Sequence, residues 1–246
     1  RAVFFDQMRT RRAAAVRNRD TRDLMAEQRD HVAEPRAVSS ARRVLVTGAS
    51  GLVGAWVTAA LFAEPRRFRV RALVRSRDKL ARALAPLGVS LDALEIVDGD
   101  ITDAAAVACA VEGCAAVVHC AGLFSADVTE LPLLRRTNVT GTQIVLDAAR
   151  AAGADPVVHV SSYLAMFPPR ARVQRADDPV TEPKSAYAKT KAEAERIARR
   201  HQDAGAPVVI VYPGAIHGPH DPTFSATPAY LADAIRKDGL LVNEGG

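Results

Sequence analysis

From residue 42 to residue 212 the chain alternates short β-branched and aliphatic runs with longer stretches in which apolar positions recur every three or four residues. The apolar runs at 44–47, 70–75, 94–97, 115–119, 157–160 and 208–212 predict six strands, each hydrophobic enough to be covered on both faces. Helices are predicted at 55–62, 104–111, 133–152 and 185–204. Right-handed crossovers between successive parallel strands then give an α/β, doubly wound parallel sheet, with its ligand crevice beyond the carboxyl ends of the strands.

Residues 1–40 lack this pattern. They hold nine of the 33 basic residues and six of the 28 acidic ones, with room for one short surface helix at 20–32, and are expected to form a disordered extension to a domain spanning 41–246. Their acidic residues argue against a mitochondrial presequence. Most of the formal charge of +5 sits there, so the rest of the chain is close to balanced and shows no basic stripe for nucleic acid. With 48% hydrophobic and 25% charged residues the chain is a globular one. It has no apolar run of membrane-spanning length. Three cysteines, Cys109, Cys114 and Cys120, suit neither a disulfide framework nor a zinc site, and a cytoplasmic setting is expected.

The first predicted strand runs directly into Gly48-Ala49-Ser50-Gly51-Leu52-Val53-Gly54 and then into an apolar helix. In this strand–turn–helix setting, Gly48 allows the tight turn, Gly51 lets main chain approach a pyrophosphate, and Gly54 lets the helix pack close to the strand. The N–H groups of the helix N-terminus face the anion. A glycine trio alone would also fit a plain strand-to-helix connection; this context on both sides makes a Rossmann dinucleotide site the expectation. At the end of the second strand, where a ribose diol would call for Asp or Glu, the sequence reads Val74-Arg75-Ser76-Arg77. Guanidinium groups there clasp a 2′-phosphate, so NADP is expected over NAD.

Tyr187 and Lys191 stand four apart near the start of a predicted helix and so project from one face. A free phenol has a pKa of about 10, and a tyrosine that exchanges protons near neutrality needs a neighbouring cation. Lowering it by ~3 units takes roughly 4 kcal/mol of differential interaction. Lys191 is placed to supply that charge.

Taken together, the glycine turn, Asp100-Ile101, His119-Cys120-Ala121-Gly122, Ser161-Ser162, and Tyr187 with Lys191 all fall at strand ends around one crevice. From about residue 42 onward the chain resembles the extended short-chain dehydrogenase/reductase family, the NAD(P)-dependent epimerase, dehydratase and reductase group that includes dihydroflavonol reductases and 3β-hydroxysteroid dehydrogenases. The resemblance implies that Gly48, Ser50, Gly51, Leu52, Val53 and Gly54 hold the pyrophosphate. It implies that Asp100 touches the adenine amino group, that Ile101 packs on its ring, and that Cys120, Ala121 and Gly122 line the cofactor. Asn138, in Asn138-Val139-Thr140-Gly141-Thr142, would be a tether between strands. Pro213 and Gly214 would lie beside the nicotinamide, in a motif where Tyr212 replaces a common Arg and His217 a common Tyr.

The catalytic set implied is Tyr187 as proton donor, Lys191 as its activator, and Ser162, the second of the serine pair, as hydrogen-bond donor to the substrate oxygen. Cys120 is read as a small buried filler, His119 and His159 as hydrogen-bonded core residues, and His217 and His220 as loop residues. Phe124, Tyr163, Met166, Phe167 and the region of Phe224 give the substrate side an apolar cast. The expected activity is reduction of a small, fairly apolar carbonyl, or oxidation of the alcohol. The alternatives are an NAD-dependent nucleotide-sugar epimerase or dehydratase and a non-catalytic NAD(P)-sensing protein. Relatives pair through two helices, which makes a homodimer through 133–152 and 185–204 an expectation. They also continue into a further strand and a C-terminal substrate lobe, which this sequence is expected mostly to lack.

Overall fold

The structure, a computed structural model, describes residues 41–125 and 127–222. The expectations for residues 1–40, for the region of Phe224 and for a C-terminal lobe lie outside the described residues. Six parallel strands, β1 (Arg42–Thr47), β2 (Phe68–Val74), β3 (Glu95–Asp98), β4 (Ala116–His119), β5 (Val157–Val160) and β6 (Val208–Val211), form one sheet in the order β3-β2-β1-β4-β5-β6. The order reverses between β1 and β4, where neighbouring crossovers leave on opposite faces and open a crevice at the strands' carboxyl ends.

Alternation within each strand decides which residue serves which face. Val46, Val70, Ala72 and Val74 join Leu80 and Leu84 in one core, beneath α1 (Leu52–Phe62) and α2 (Arg77–Leu84). Leu45, Leu73, Val117 and Val157 point the other way, into a second core shared with Val107 of α3 (Ala104–Val111) and with Val145 and Leu146. A side chain of this size withdrawn from water contributes about 2 kcal/mol, so a break in the alternation is costly.

The predicted helix over 133–152 is three pieces: α4 (Leu131–Leu134), a π turn (Arg135–Thr140) and α5 (Gly141–Ala151). The last long helix, α6 (Ala186–Asp203), is capped by the Ser185 hydroxyl, which accepts from the Ala188 N–H at 3.3 Å. The sequence reading missed α2. Its signals were Ser76, whose hydroxyl caps the Lys79 N–H, and the 80, 83, 84 spacing of buried apolar residues. That helix stops β2 at Val74, so Arg75 lies in the exit turn and not in the strand; Tyr212 likewise falls just past β6. No helix among the described residues is long and apolar enough to cross a membrane.

Candidate active site

The glycine turn is shaped by what side chains would strike. Gly48 has φ of +71°, and a Cβ there would lie 2.6 Å from the Ala121 nitrogen; one on Gly54 would lie 2.2 Å from the Gly48 carbonyl oxygen. Strand β1, helix α1 and the turn after β4 therefore close-pack through bare backbone. Gly51 differs. Its added Cβ would meet protein only at an ordinary 3.5 Å, so the free space beside it faces outward. Gly51 also caps α1 without any side-chain hydrogen bond, which leaves the first N–H groups of the helix for an anion. The turn fits a dinucleotide pyrophosphate on these grounds.

At the β2 and β3 exits the two expected guanidiniums part ways. Arg77 is engaged by Asp98, with Nε and Nη2 donating to the carboxylate at 2.6–3.1 Å. Arg75 is exposed, its nearest anion being Asp100 at 3.6 Å. The Thr102 N–H and the nearby guanidiniums of Arg75 and Arg136 hold the Asp100 carboxyl below its ordinary value against the effect of burial. Ile101 is buried against Gly141, where an added Cβ would come within 2.6 Å of it. Its packing on α5 explains that glycine.

Past β4, β5 and β6 a cleft of about 520 Å³ is lined by Val53, Cys120, Ala121, Gly122, Ser162, Tyr187, Lys191, Pro213 and Gly214 from the expected set. Leu123, Leu164, Ala215 and Ile216 line it too and were missed, because loops after strands carry no periodicity to announce them. Phe124 and Tyr163 face it as expected. Met166 is buried in the core and Phe167 lies outside the cleft lining. Gly48, Ser50, Gly51, Leu52, Gly54, Arg75, Asp100 and Ile101 do not line this cleft themselves; they sit at or just beyond the exits of β1, β2 and β3, with Gly48 packed against its Ala121.

Phe124 stands edge-on to Tyr187, ring centroids 4.8 Å apart. Burial raises the Tyr187 phenol above its usual value, and the Ser162 hydroxyl partly offsets this. Lys191, buried, donates to the Val160 carbonyl at 3.0 Å. Desolvation pulls its ammonium down to about 8 against the fields of Glu195 and Cys120. The expected lowering of Tyr187 by Lys191 is thus not the state of this site: the ammonium is directed to a backbone carbonyl, and desolvation dominates the phenol.

Asn138 is a tether, between different elements than expected. Its amide donates to the Leu123 carbonyl (2.9 Å) and the Thr190 hydroxyl (3.0 Å), and its carbonyl accepts from the Leu123 N–H (2.7 Å). It joins the loop after β4 to α6, not strand to strand. The π turn supplies its inward placement.

His119 is hydrogen-bonded as expected. Thr142 donates to the Asn138 carbonyl, so its oxygen accepts from His119 Nε2, while Nδ1 accepts from Thr47. Both nitrogens are satisfied by a neutral ring, and burial lowers its pKa to about 3. His159 stacks on His119 at 5.4 Å, and neither of its nitrogens has a partner among the described residues, which corrects the expectation of a hydrogen-bonded ring. Cys120 is pushed up to about 12 by burial, an inert thiol. His217 and His220 are exposed.

A parallel sheet in this order, a glycine cradle at its first turn, and a half-buried Tyr187 with a buried Lys191 at its fifth and sixth strand exits define a nucleotide-dependent α/β protein. Residues 44–243 match the family model of the NAD dependent epimerase/dehydratase family, and the chain belongs to that family. It is 34% identical over 206 residues to the 4-hydroxy-2-methyl-3-oxo-4-farnesyl-3,4-dihydroquinoline-1-oxide ketoreductase of Stigmatella aurantiaca, covering 83% of this chain and 58% of that protein. It is 36% identical over 179 residues to sterol demethylase protein B of Methylococcus capsulatus, covering 72% and 52%. Among solved structures, a double mutant of the DesIV dTDP-glucose 4,6-dehydratase of Streptomyces venezuelae, with NAD and DAU bound, superposes with a TM-score of 0.67 at 29% identity, over 79% of this chain and 62% of that one. The chain spans a little over half the length of the curated relatives it matches.

Proposed function

We propose that this chain is the dinucleotide-binding and catalytic part of an NADP-dependent oxidoreductase that reduces the carbonyl of a small, fairly apolar substrate. The observation that carries the reading is the meeting of Tyr187, Ser162 and Lys191 in one cleft. When bound, the reduced nicotinamide supplies hydride. Tyr187 holds its proton at neutral pH, because burial keeps its pKa above the usual value, and that is the state a proton donor to a developing alkoxide needs. The Ser162 hydroxyl donates to the same oxygen, and the ammonium of Lys191 steadies the negative charge that proton donation leaves on Tyr187. With the Lys191 value about 8, reduction is expected to fall as pH rises through that point, since the charged ammonium is lost there.

Three features support the finer parts of the reading. Arg75 is exposed and holds Asp100 only loosely, at 3.6 Å, while Arg77 is tied to Asp98 by close hydrogen bonds, so NADP selection rests on one guanidinium, not two. Phe124, Leu164 and Ile216 give the cleft an apolar wall, and Lys191 is the only cation among the described residues lining it, which suits an uncharged ketone better than a nucleotide diphosphate. The Stigmatella relative is itself a ketoreductase by name. A homodimer through α5 and α6 and a cytoplasmic setting belong to the same proposal. Titration with NADPH and NADH, followed by a panel of aliphatic, aromatic and steroidal carbonyls read at the dihydronicotinamide band, tests it. NADPH binding tighter than NADH, with turnover of an apolar ketone, is expected. NAD retained through purification together with turnover of a nucleotide sugar would overturn it, as would cofactor binding without turnover.

A further inference from the structure

One turn beyond Lys191 on α6, Glu195 is fully buried at 0% exposure. Its Oε1 accepts from Arg199 Nε at 2.8 Å and from the Tyr212 hydroxyl at 2.6 Å; its Oε2 has no partner among the described residues. Arg199 is itself braced by the Asp178 backbone carbonyl at 2.7 Å and the Ala176 carbonyl at 3.1 Å. A carboxylate taken wholly out of water with one oxygen unsatisfied is an expensive arrangement for a structural purpose alone, since a neutral amide of the same shape would fill the space. What the carboxylate adds is a negative charge one helical turn from Lys191, the one ammonium among the described residues that line the cleft.

We infer that Glu195 is a positioning residue whose buried carboxylate keeps Lys191 in its ammonium form. The inference rests on the reading of Lys191 as the cation of the site. Burial opposes the ammonium of Lys191, and Glu195 first, then Cys120, favour it. Around it stand the His119 ring and Cys120 thiol from the β4 side, the Val160 carbonyl and His159 ring from β5, and Tyr187 one helical turn before it on α6. The two imidazoles stay neutral because burial lowers their pKa values. Arg199, also on α6, pairs with the same carboxylate at 2.8 Å and moderates its field.

The test is direct titration of Lys191 in the full chain, labelled with ¹³Cε-lysine and followed by NMR, with the signal assigned by its loss in Lys191→Met. Glu195→Gln removes the anion and leaves Arg199 uncompensated, so the Lys191 midpoint is expected to fall by about one pH unit. Arg199→Gln frees the carboxylate, and the midpoint is expected to rise by a similar amount, while Arg199→Lys stays near native. A midpoint that does not move in whichever of the two Gln variants folds, or that moves in the opposite direction, overturns the inference. A merely structural Glu195 would lower the melting temperature and leave the midpoint in place. The titration needs neither cofactor nor substrate, so its failure is distinct from failure of the hydride-transfer reading, which turnover tests.

Discussion

The two halves of the crevice are built on opposite principles. At the β1 side, Gly48, Gly54 and Ala121 bring backbone against backbone, and the site is made by leaving side chains out. At the β5 and β6 side, Lys191, Glu195, Asn138 and Ser162 are buried polar groups, and the site is made by putting charge and hydrogen-bonding capacity where water is absent. The first kind of site tolerates no added atom. The second tolerates shape changes better than changes of charge or of proton count. Substitutions on the two sides should therefore fail in different ways.

The largest separation is expected from Tyr187→Phe, which removes one oxygen and little volume. Turnover should fall by about a thousandfold, while NADPH affinity by fluorescence titration stays within about threefold; equal loss of both would erase the distinction between the halves. Gly54→Ala is the mirror case. With a new Cβ 2.2 Å from the Gly48 oxygen, the turn must shift, and urea unfolding should show a loss of about 2–3 kcal/mol together with weakened dinucleotide binding.

Acid should single out the polar half. His119 titrates near 3 when folded and at about 6.5 when unfolded, so its neutral form is matched in both states above 6.5. Below that the unfolded chain takes up the proton first. Stability is thus intact above pH 6.5 and is lost as pH falls toward 3, by about 2 kcal/mol at pH 5 from this ring alone. Urea midpoints between pH 7 and 5 measure it, and a flat profile would contradict the neutral, doubly bonded ring. The smallest effect belongs to the cofactor rim. Arg75→Ala should weaken NADPH about tenfold and leave NADH unchanged, whereas Arg77→Ala, already spent on Asp98, should change either by less than about threefold.

The same contrast explains what could be read from the sequence. Buried parallel strands announce themselves as apolar runs, and glycines at fixed spacing announce a turn, because both are local rules written within a dozen residues. Tyr187 and Lys191 were equally legible, being one helical turn apart. The relations that set their chemistry were not. Glu195 meets Tyr212 across 17 positions, Asn138 meets Thr190 across 52, and Thr47 meets His119 across 72. Neither the burial that raises Tyr187 nor the hydrogen bond from Lys191 to the Val160 carbonyl is encoded in a spacing. The break of 133–152 into α4, π turn and α5 was hidden for a related reason: an extra residue in a turn leaves the apolar periodicity almost untouched.

Asn138 fastens Leu123 by both backbone groups and holds Thr190 with the same amide, while Thr190 in turn donates to the Tyr187 carbonyl at 2.7 Å. The stretch leading to Phe124 and the helical turn bearing the phenol are consequently riveted into a single jaw, fixed before any guest arrives. Ala215 and Ile216 line the same cleft without sharing in these bonds, so retuning of selectivity in this scaffold would start there and leave the proton donor undisturbed.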